Sequence, residues 1–131
     1  MYYTFFEVIV MKDIFCRIIE KEIPSKVIHE DDIVVVIMDV SPRSDGHLLV
    51  IPKKHYQDLY DIEETVINHI MKIAKEMSLL VTEKLHCEGI TLEQNNGISQ
   101  EVKHFHLHII PKYSIENVTS DLESIYNKLI G

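Results

Sequence analysis

The sequence predicts an α+β domain: an antiparallel sheet of about five strands, one long helix, and short helices towards the ends. Three observations predict it. The middle of the chain holds short apolar runs separated by polar turn residues, which is how strands read. A single stretch, residues 61–85, repeats apolar residues at helical spacing over several turns. The connections before Ile33 and before His104 are too short for a βαβ crossover, so neighbouring strands run antiparallel.

Each element has its own justification. Ile14, Phe15, Ile18 and Ile19 fall on one face of a short helix with Asp13 as N-cap, and Pro24 stops anything helical beyond it. Residues 26–29 and 33–40 read as strands joined by the turn Glu30-Asp31-Asp32. The second is almost wholly apolar and so buried on both faces. A loop rich in turn residues, 39–46, leads to a third strand, residues 47–52. Asp61-Ile62-Glu63-Glu64 has capping-box spacing and opens the long helix, in which Val66, Ile70, Ile73, Met77 and Leu80 form the stripe that covers a sheet. Gly89 marks its end. Residues 90–93 form a fourth strand, and residues 94–101 a polar loop. A last helix, capped by Ser120 or Thr119, carries Leu122, Ile125 and Leu129. Residues 1–12 lack the basic stretch and small-residue cleavage site of a signal peptide and read as an extra strand or an extension.

The fifth strand concentrates the chemistry. In His104-Phe105-His106-Leu107-His108-Ile109-Ile110-Pro111, histidines alternate with apolar residues. Period two places the three imidazoles on one face and Phe105, Leu107 and Ile109 on the other. Pro111, without an N–H, is expected to end the ladder. Imidazoles at this spacing serve as nucleophile, acid–base group or phosphate donor, and they also chelate zinc. The pattern alone does not choose between a nucleophile and a metal.

Composition narrows the classes. The 131 residues are 46% hydrophobic, which suits one domain with a real core. With 21 acidic against 13 basic side chains, the net charge is −8. That argues against a nucleic-acid polymer, which needs a broad basic footprint, but leaves room for one small phosphate ligand. Cys16 and Cys87 make no disulfide scaffold and read as reduced thiols of a cytoplasmic protein. No apolar run approaches the ~18–20 residues of a membrane span.

Two polar loops are placed to meet the histidines. His47 joins them if its strand neighbours theirs. Asp39, just past a buried strand, suits a vicinal diol such as ribose, or is a solvated turn acid. Asn95, Gly97, Ser99 and Gln100 offer donors suited to phosphate, or make an ordinary turn.

Taken with the blocks Ile14-Phe15-Cys16-Arg17-Ile18-Ile19, Glu22-Ile23-Pro24, Met38-Asp39-Val40-Ser41-Pro42 and Gly46-His47-Leu48-Leu49-Val50-Ile51-Pro52-Lys53-Lys54-His55, the His-x-His-x-His run resembles the histidine-triad (HIT) family, in its Hint-like branch. The resemblance spans residues 13–113, which become the HIT domain, with residues 114–131 a C-terminal helical tail. It implies a HIT-like fold and a nucleotide-binding hydrolase or transferase. Such an enzyme acts at the α-phosphate of nucleoside 5′-monophosphate derivatives: phosphoramidates, aminoacyl-adenylates or dinucleoside polyphosphates. It implies His106 as nucleophile and His108 as donor to the phosphate, with His104 and His47 orienting His106. Asp39 would hold the ribose, and Ile14, Phe15, Ile18 and Ile37 would line the base pocket of an AMP-like purine nucleotide. Asn95, Ser99, Gln100 and Glu101 would belong to the phosphate loop. It implies a homodimer joined edge to edge, and no metal in the chemistry. A structural zinc site, known in bacterial relatives, maps here onto Asp13, Cys16, His55 and His104. Two departures stand out. The phosphate loop is two residues shorter, and Glu101 stands where Hint-like members often carry Ser or Thr for the leaving group. The alternative readings are a nucleotide- or partner-binding module with little activity, and a zinc-binding HIT protein that uses the triad itself as ligands.

Overall fold

The computed structural model describes residues 13–115 and 120–131. The extension at residues 1–12 and the Thr119 cap lie outside them. Five strands form one antiparallel sheet: β1 (Val27–Glu30), β2 (Val34–Met38), β3 (Leu48–Pro52), β4 (Gly89–Glu93) and β5 (Leu107–Lys112), in the order β1-β2-β3-β5-β4. The helices are α1 (Ile14–Ile19), the long α2 (Glu64–Leu85) and the C-terminal α3 (Leu122–Ile130). The predicted α+β class and sheet are thus the observed ones.

Strand alternation divides the core into two layers. Val36, Val50 and Leu107 face α2, whose Ile70, Ile73, Ala74, Met77 and Val81 are buried against them, with Ile125 and Leu129 of α3 alongside. Val35, Ile37, Leu49 and Ile51 face the other way and pack under Phe15 and Ile18 of α1. β2 and β3 therefore have both faces covered and every residue buried. Each fully buried Val, Ile or Leu contributes roughly 1.5–3 kcal/mol over its exposed state, which makes this slab the stable platform for everything on the α1 side.

Several element ends differ from the sequence reading. β5 begins at Leu107, not His104, because the backbone ahead of it bonds elsewhere: the Phe105 N–H donates to the Tyr56 carbonyl at 2.7 Å. Pro111 does not end the ladder. It pairs with Ile90, beyond the last β3 residue in register, where β5 has a neighbour on one side and a missing N–H is tolerated. The α2 N-cap is Glu63 and makes no side-chain cap bond; Asp61 instead accepts the Gln57 N–H. α2 ends at a left-handed His86 (φ 55°) rather than at Gly89, which opens β4. Asp121, not Ser120, caps α3 by accepting the Ser124 N–H. The Asp13 cap on α1 is as read, with the Cys16 N–H 2.8 Å from its carboxylate.

Candidate active site

The face of the sheet that carries α1 is where the polar loops converge. Ile37 stands opposite Leu49, Leu49 opposite His108, and His108 opposite Glu93, so four adjacent strands place these side chains in one row. α1 rises over one end, residues 39–47 bound one side, and residues 93–102 bound another. They enclose a cleft of about 680 Å³. Ile14, Phe15, Ile18 and Ile37 make its apolar part, while Asp39, His47, His106, His108, Asn95, Ser99 and Glu101 line the polar part. β3 and β5 are neighbours, so His47 does join the histidines.

Two residues read as site members lie elsewhere. Gln100 is buried outside the cleft lining, and its amide nitrogen donates to the Gln57 carbonyl. His104 is wholly buried behind the cleft and faces Cys16 and His55 instead. The histidine contacts also differ from the expected ones. His106 is oriented by the His104 main-chain carbonyl, 2.8 Å from its Nδ1, not by the His104 ring. His47 meets His108, not His106, with Nε2 2.9 Å from His108 Nδ1. Phe15 packs edge-on against His106 at 4.9 Å between ring centres.

These partners fix the tautomers. A carbonyl only accepts, so His106 carries its proton on Nδ1 and keeps a lone pair on Nε2. A backbone N–H only donates, so His47, which receives the Arg43 N–H on Nδ1 at 3.1 Å, carries its proton on Nε2. That proton serves His108 Nδ1, and His108 therefore carries its own on Nε2. Two like residues 4.9 Å apart between ring centres are made chemically opposite, one a lone-pair base and one an N–H donor. Burial lowers the pKa of both, and it drives His47 down to about 4. All three imidazoles are neutral at pH 7, the form a nitrogen nucleophile needs.

Asp39 lines the cleft with Oδ2 3.5 Å from His47 Nε2, while its Oδ1 accepts the Ser41 N–H. Arg43 and Glu93, absent from the sequence reading, form a bidentate ion pair at the same wall (3.0 and 2.7 Å). Arg43, with help from Asn95, holds the Glu93 carboxyl at about 2. The alternation of β4 was legible, but the register that sets Glu93 beside His108 was not.

Behind the cleft, Asp13, Cys16, His55 and His104 converge. Cys16 Sγ is 3.5 Å from both His55 Nδ1 and His104 Nδ1, the two nitrogens are 3.1 Å apart, and Asp13 Oδ2 is 3.2 Å from each. Ligand atoms around a tetrahedral zinc ion stand about 3.3–3.5 Å apart, given its ordinary bond lengths. His104 donates Nε2–H to the Pro52 carbonyl and so turns a Nδ1 lone pair towards the Asp13 carboxylate. A donor at the centre satisfies this arrangement: the His55 Nδ1–H, the Cys16 S–H or a metal ion. Burial works to raise the Asp13 carboxyl, yet the His104 bond and the Cys16 N–H hold it at about 2. Burial, then the Asp13 charge, pushes the Cys16 thiol up. The donor set and spacing fit zinc.

Comparison with known proteins agrees with this geometry. The HIT domain family model matches residues 20–115. An uncharacterized HIT-like protein of Methanocaldococcus jannaschii is 44% identical, covering 90% of this chain and 98% of its own. The adenosine 5′-monophosphoramidase of Saccharomyces cerevisiae is 39% identical over 76% of this chain and 61% of its own. The crystal structure of a zinc-bound histidine triad family protein from Mycobacterium smegmatis superposes with a TM-score of 0.84 at 30% identity, covering 92% of this chain and 91% of that one.

Proposed function

The chain belongs to the HIT domain family, and from that premise we propose that it is a nucleotide hydrolase or transferase. Its substrates are AMP-like nucleoside 5′-monophosphate derivatives: phosphoramidates, aminoacyl-adenylates or dinucleoside polyphosphates. One observation supports it above others: a neutral His106 with a free Nε2 lone pair beside a His108 N–H donor, both in a cleft with an apolar end and a carboxylate.

The purine packs among Ile14, Phe15, Ile18 and Ile37, and Asp39 accepts from the ribose hydroxyls. His106 Nε2 attacks the α-phosphorus. A P–N bond forms as the bond to the leaving group breaks, and the leaving group departs with the electron pair and takes up a proton from solvent. His108 donates its Nε2–H to a non-bridging oxygen, where negative charge grows in the transition state. Water then attacks phosphorus, the P–N bond breaks with its pair returning to Nε2, and the water's proton passes to solvent. One hard displacement becomes two easier ones.

Rapid mixing with an adenosine 5′-phosphoramidate, acid quench and intact-mass measurement test the reading. An AMP-sized adduct is expected on His106 and absent from His106→Ala, whose turnover falls by about 10⁴-fold or more while AMP still binds. AMP binding with no adduct and no AMP release would instead make the chain a binding module.

Zinc held by Asp13, Cys16, His55 and His104 is part of the proposal; it would supply cross-linking charge between the start of α1, the loop after β3 and the segment ahead of β5, and would take no part in the displacement. A homodimer is supported by β4, whose outer edge has no strand beside it among the described residues and which bears a half-exposed Leu92. Sedimentation at twice the chain mass checks it. No helix among the described residues is long and apolar enough to cross a membrane. Two free thiols suit the cytoplasm.

A further inference from the structure

Resting on the roles of His106 and His108 above, the structure points to one more pair of residues in the machinery. His47 and His108 share a single proton between Nε2 and Nδ1. It has two arrangements. With the proton on His47 Nε2, His108 presents Nε2–H to the cleft. In the reverse arrangement His47 takes a proton on Nδ1 from solvent, the bridging proton sits on His108 Nδ1, and His108 gives up its Nε2 proton to solvent, so that it presents a lone pair, which repels phosphate oxygen. The Arg43 backbone N–H decides between them, because it occupies His47 Nδ1 and forces the proton to Nε2.

What keeps that N–H in place is the loop of residues 39–47. Its far end is tied to β5 and the residue just past it, with the Ser44 hydroxyl donating to the Pro111 carbonyl at 2.6 Å and the Tyr113 hydroxyl donating to the Asp45 carbonyl at 2.7 Å. At Arg43 itself the tie is the two-toothed bond to Glu93, the β4 residue in register with His108. Asn95 Nδ2 steadies the carboxylate from the other side at 3.2 Å. Planar fork-to-carboxylate pairing fixes orientation as well as distance, which a lysine does not reproduce. The loop, the pair and the shared proton form one chain of contacts: Glu93, the Arg43 guanidinium, the Arg43 amide, His47, His108.

We propose that the Arg43–Glu93 pair is a positioning device that holds the His47–His108 relay in the arrangement where His108 donates to phosphate. Neither residue needs to touch the substrate. The pair is half exposed, and such pairs add little to stability. Its loss therefore leaves folding nearly intact while changing the proton's place.

The test uses histidine labelled with nitrogen-15 in the full chain, for the parent protein, Arg43→Ala, Arg43→Lys and Glu93→Gln. The parent's His108 is expected to show a protonated Nε2 and an unprotonated Nδ1. In Arg43→Ala the two nitrogens should move towards the opposite assignment, with Glu93→Gln and Arg43→Lys intermediate. On an adenosine 5′-phosphoramidate, kcat should fall about tenfold in Arg43→Ala with KM within twofold, short of the ~10²–10³ for losing a transition-state donor outright. An unchanged His108 tautomer in both Arg43→Ala and Glu93→Gln overturns the proposal. So does a KM that rises tenfold at constant kcat, which would make Arg43 a direct phosphate contact. If the parent protein turns over no substrate, the hydrolase reading fails, and the nitrogen spectra alone decide the positioning role.

Discussion

A histidine's chemistry is set here by which partner holds its Nδ1. A carbonyl at His106 and a ring nitrogen at His108 leave opposite groups facing the cleft, and the alternating sequence gave no hint of that difference. It showed that three imidazoles share a face, which they do, but not that His104 would spend its ring on Pro52 and the Asp13 cluster. Spacing along a strand fixes direction; partners come from other strands and their register. His47 also carries a pH prediction. The unfolded ring takes a proton near pH 6.5, the folded one near 4. Between these values the unfolded state binds more protons, so stability is full above pH 6.5 and declines as pH falls towards 4, by at most about 3 kcal/mol from this residue. Urea unfolding at pH 7 and pH 5 should show the decline, and it should be smaller in His47→Asn.

At the scale of elements, turns rather than strands set the site's precision. Gly46 adopts φ 89°, and a Cβ there would sit 2.5 Å from Leu85 Cδ1 at the end of α2. Gly46→Ala is therefore expected to cost about 2–3 kcal/mol through clash and a left-handed backbone, read as a drop in melting temperature. On the far side of the sheet, Asp31 organises the β1–β2 turn. One oxygen accepts the Ile33 and Val34 N–H groups, the other accepts from His29 at 2.7 Å and His69 of α2 at 2.8 Å. Burial works to raise its carboxyl, but these donors hold it well below the carboxylate range. Asp31→Ala should cost roughly 2 kcal/mol, leaving activity per folded molecule unchanged, since the turn is remote from the cleft. The capping box failed for a related reason: Asp61 has a stronger use in closing its own turn on Gln57, and propensity at a helix end yields to such tertiary bonds.

For the whole molecule, the sequence carried the class, the sheet's polarity and both core layers, because burial enforces period two in strands and 3.6 in helices. The shape of the cleft was beyond it. Ile14, Phe15 and Ile18 are core residues by spacing; Phe15 and Ile18 are both core and cleft wall, while Ile14 is half exposed and serves the wall alone, because α1 lies across the sheet with its edge open. Only assembly of elements distant in sequence decides that.

That short helix has one more consequence. Six residues form too small a helix to persist unaided. Asp13 and Cys16, which bracket its first turn, reach backwards to the metal-fitting cluster, while Ile14, Phe15 and Ile18 reach forwards into the cleft. Two ligands would then grip one small lever from opposite sides. Thermodynamic reciprocity follows: whatever factor zinc adds to AMP affinity, AMP must add to zinc affinity. Calorimetric titration of zinc with and without saturating AMP, and of AMP with and without zinc, should return the same factor above one. A factor of one would mean that α1 is held without either.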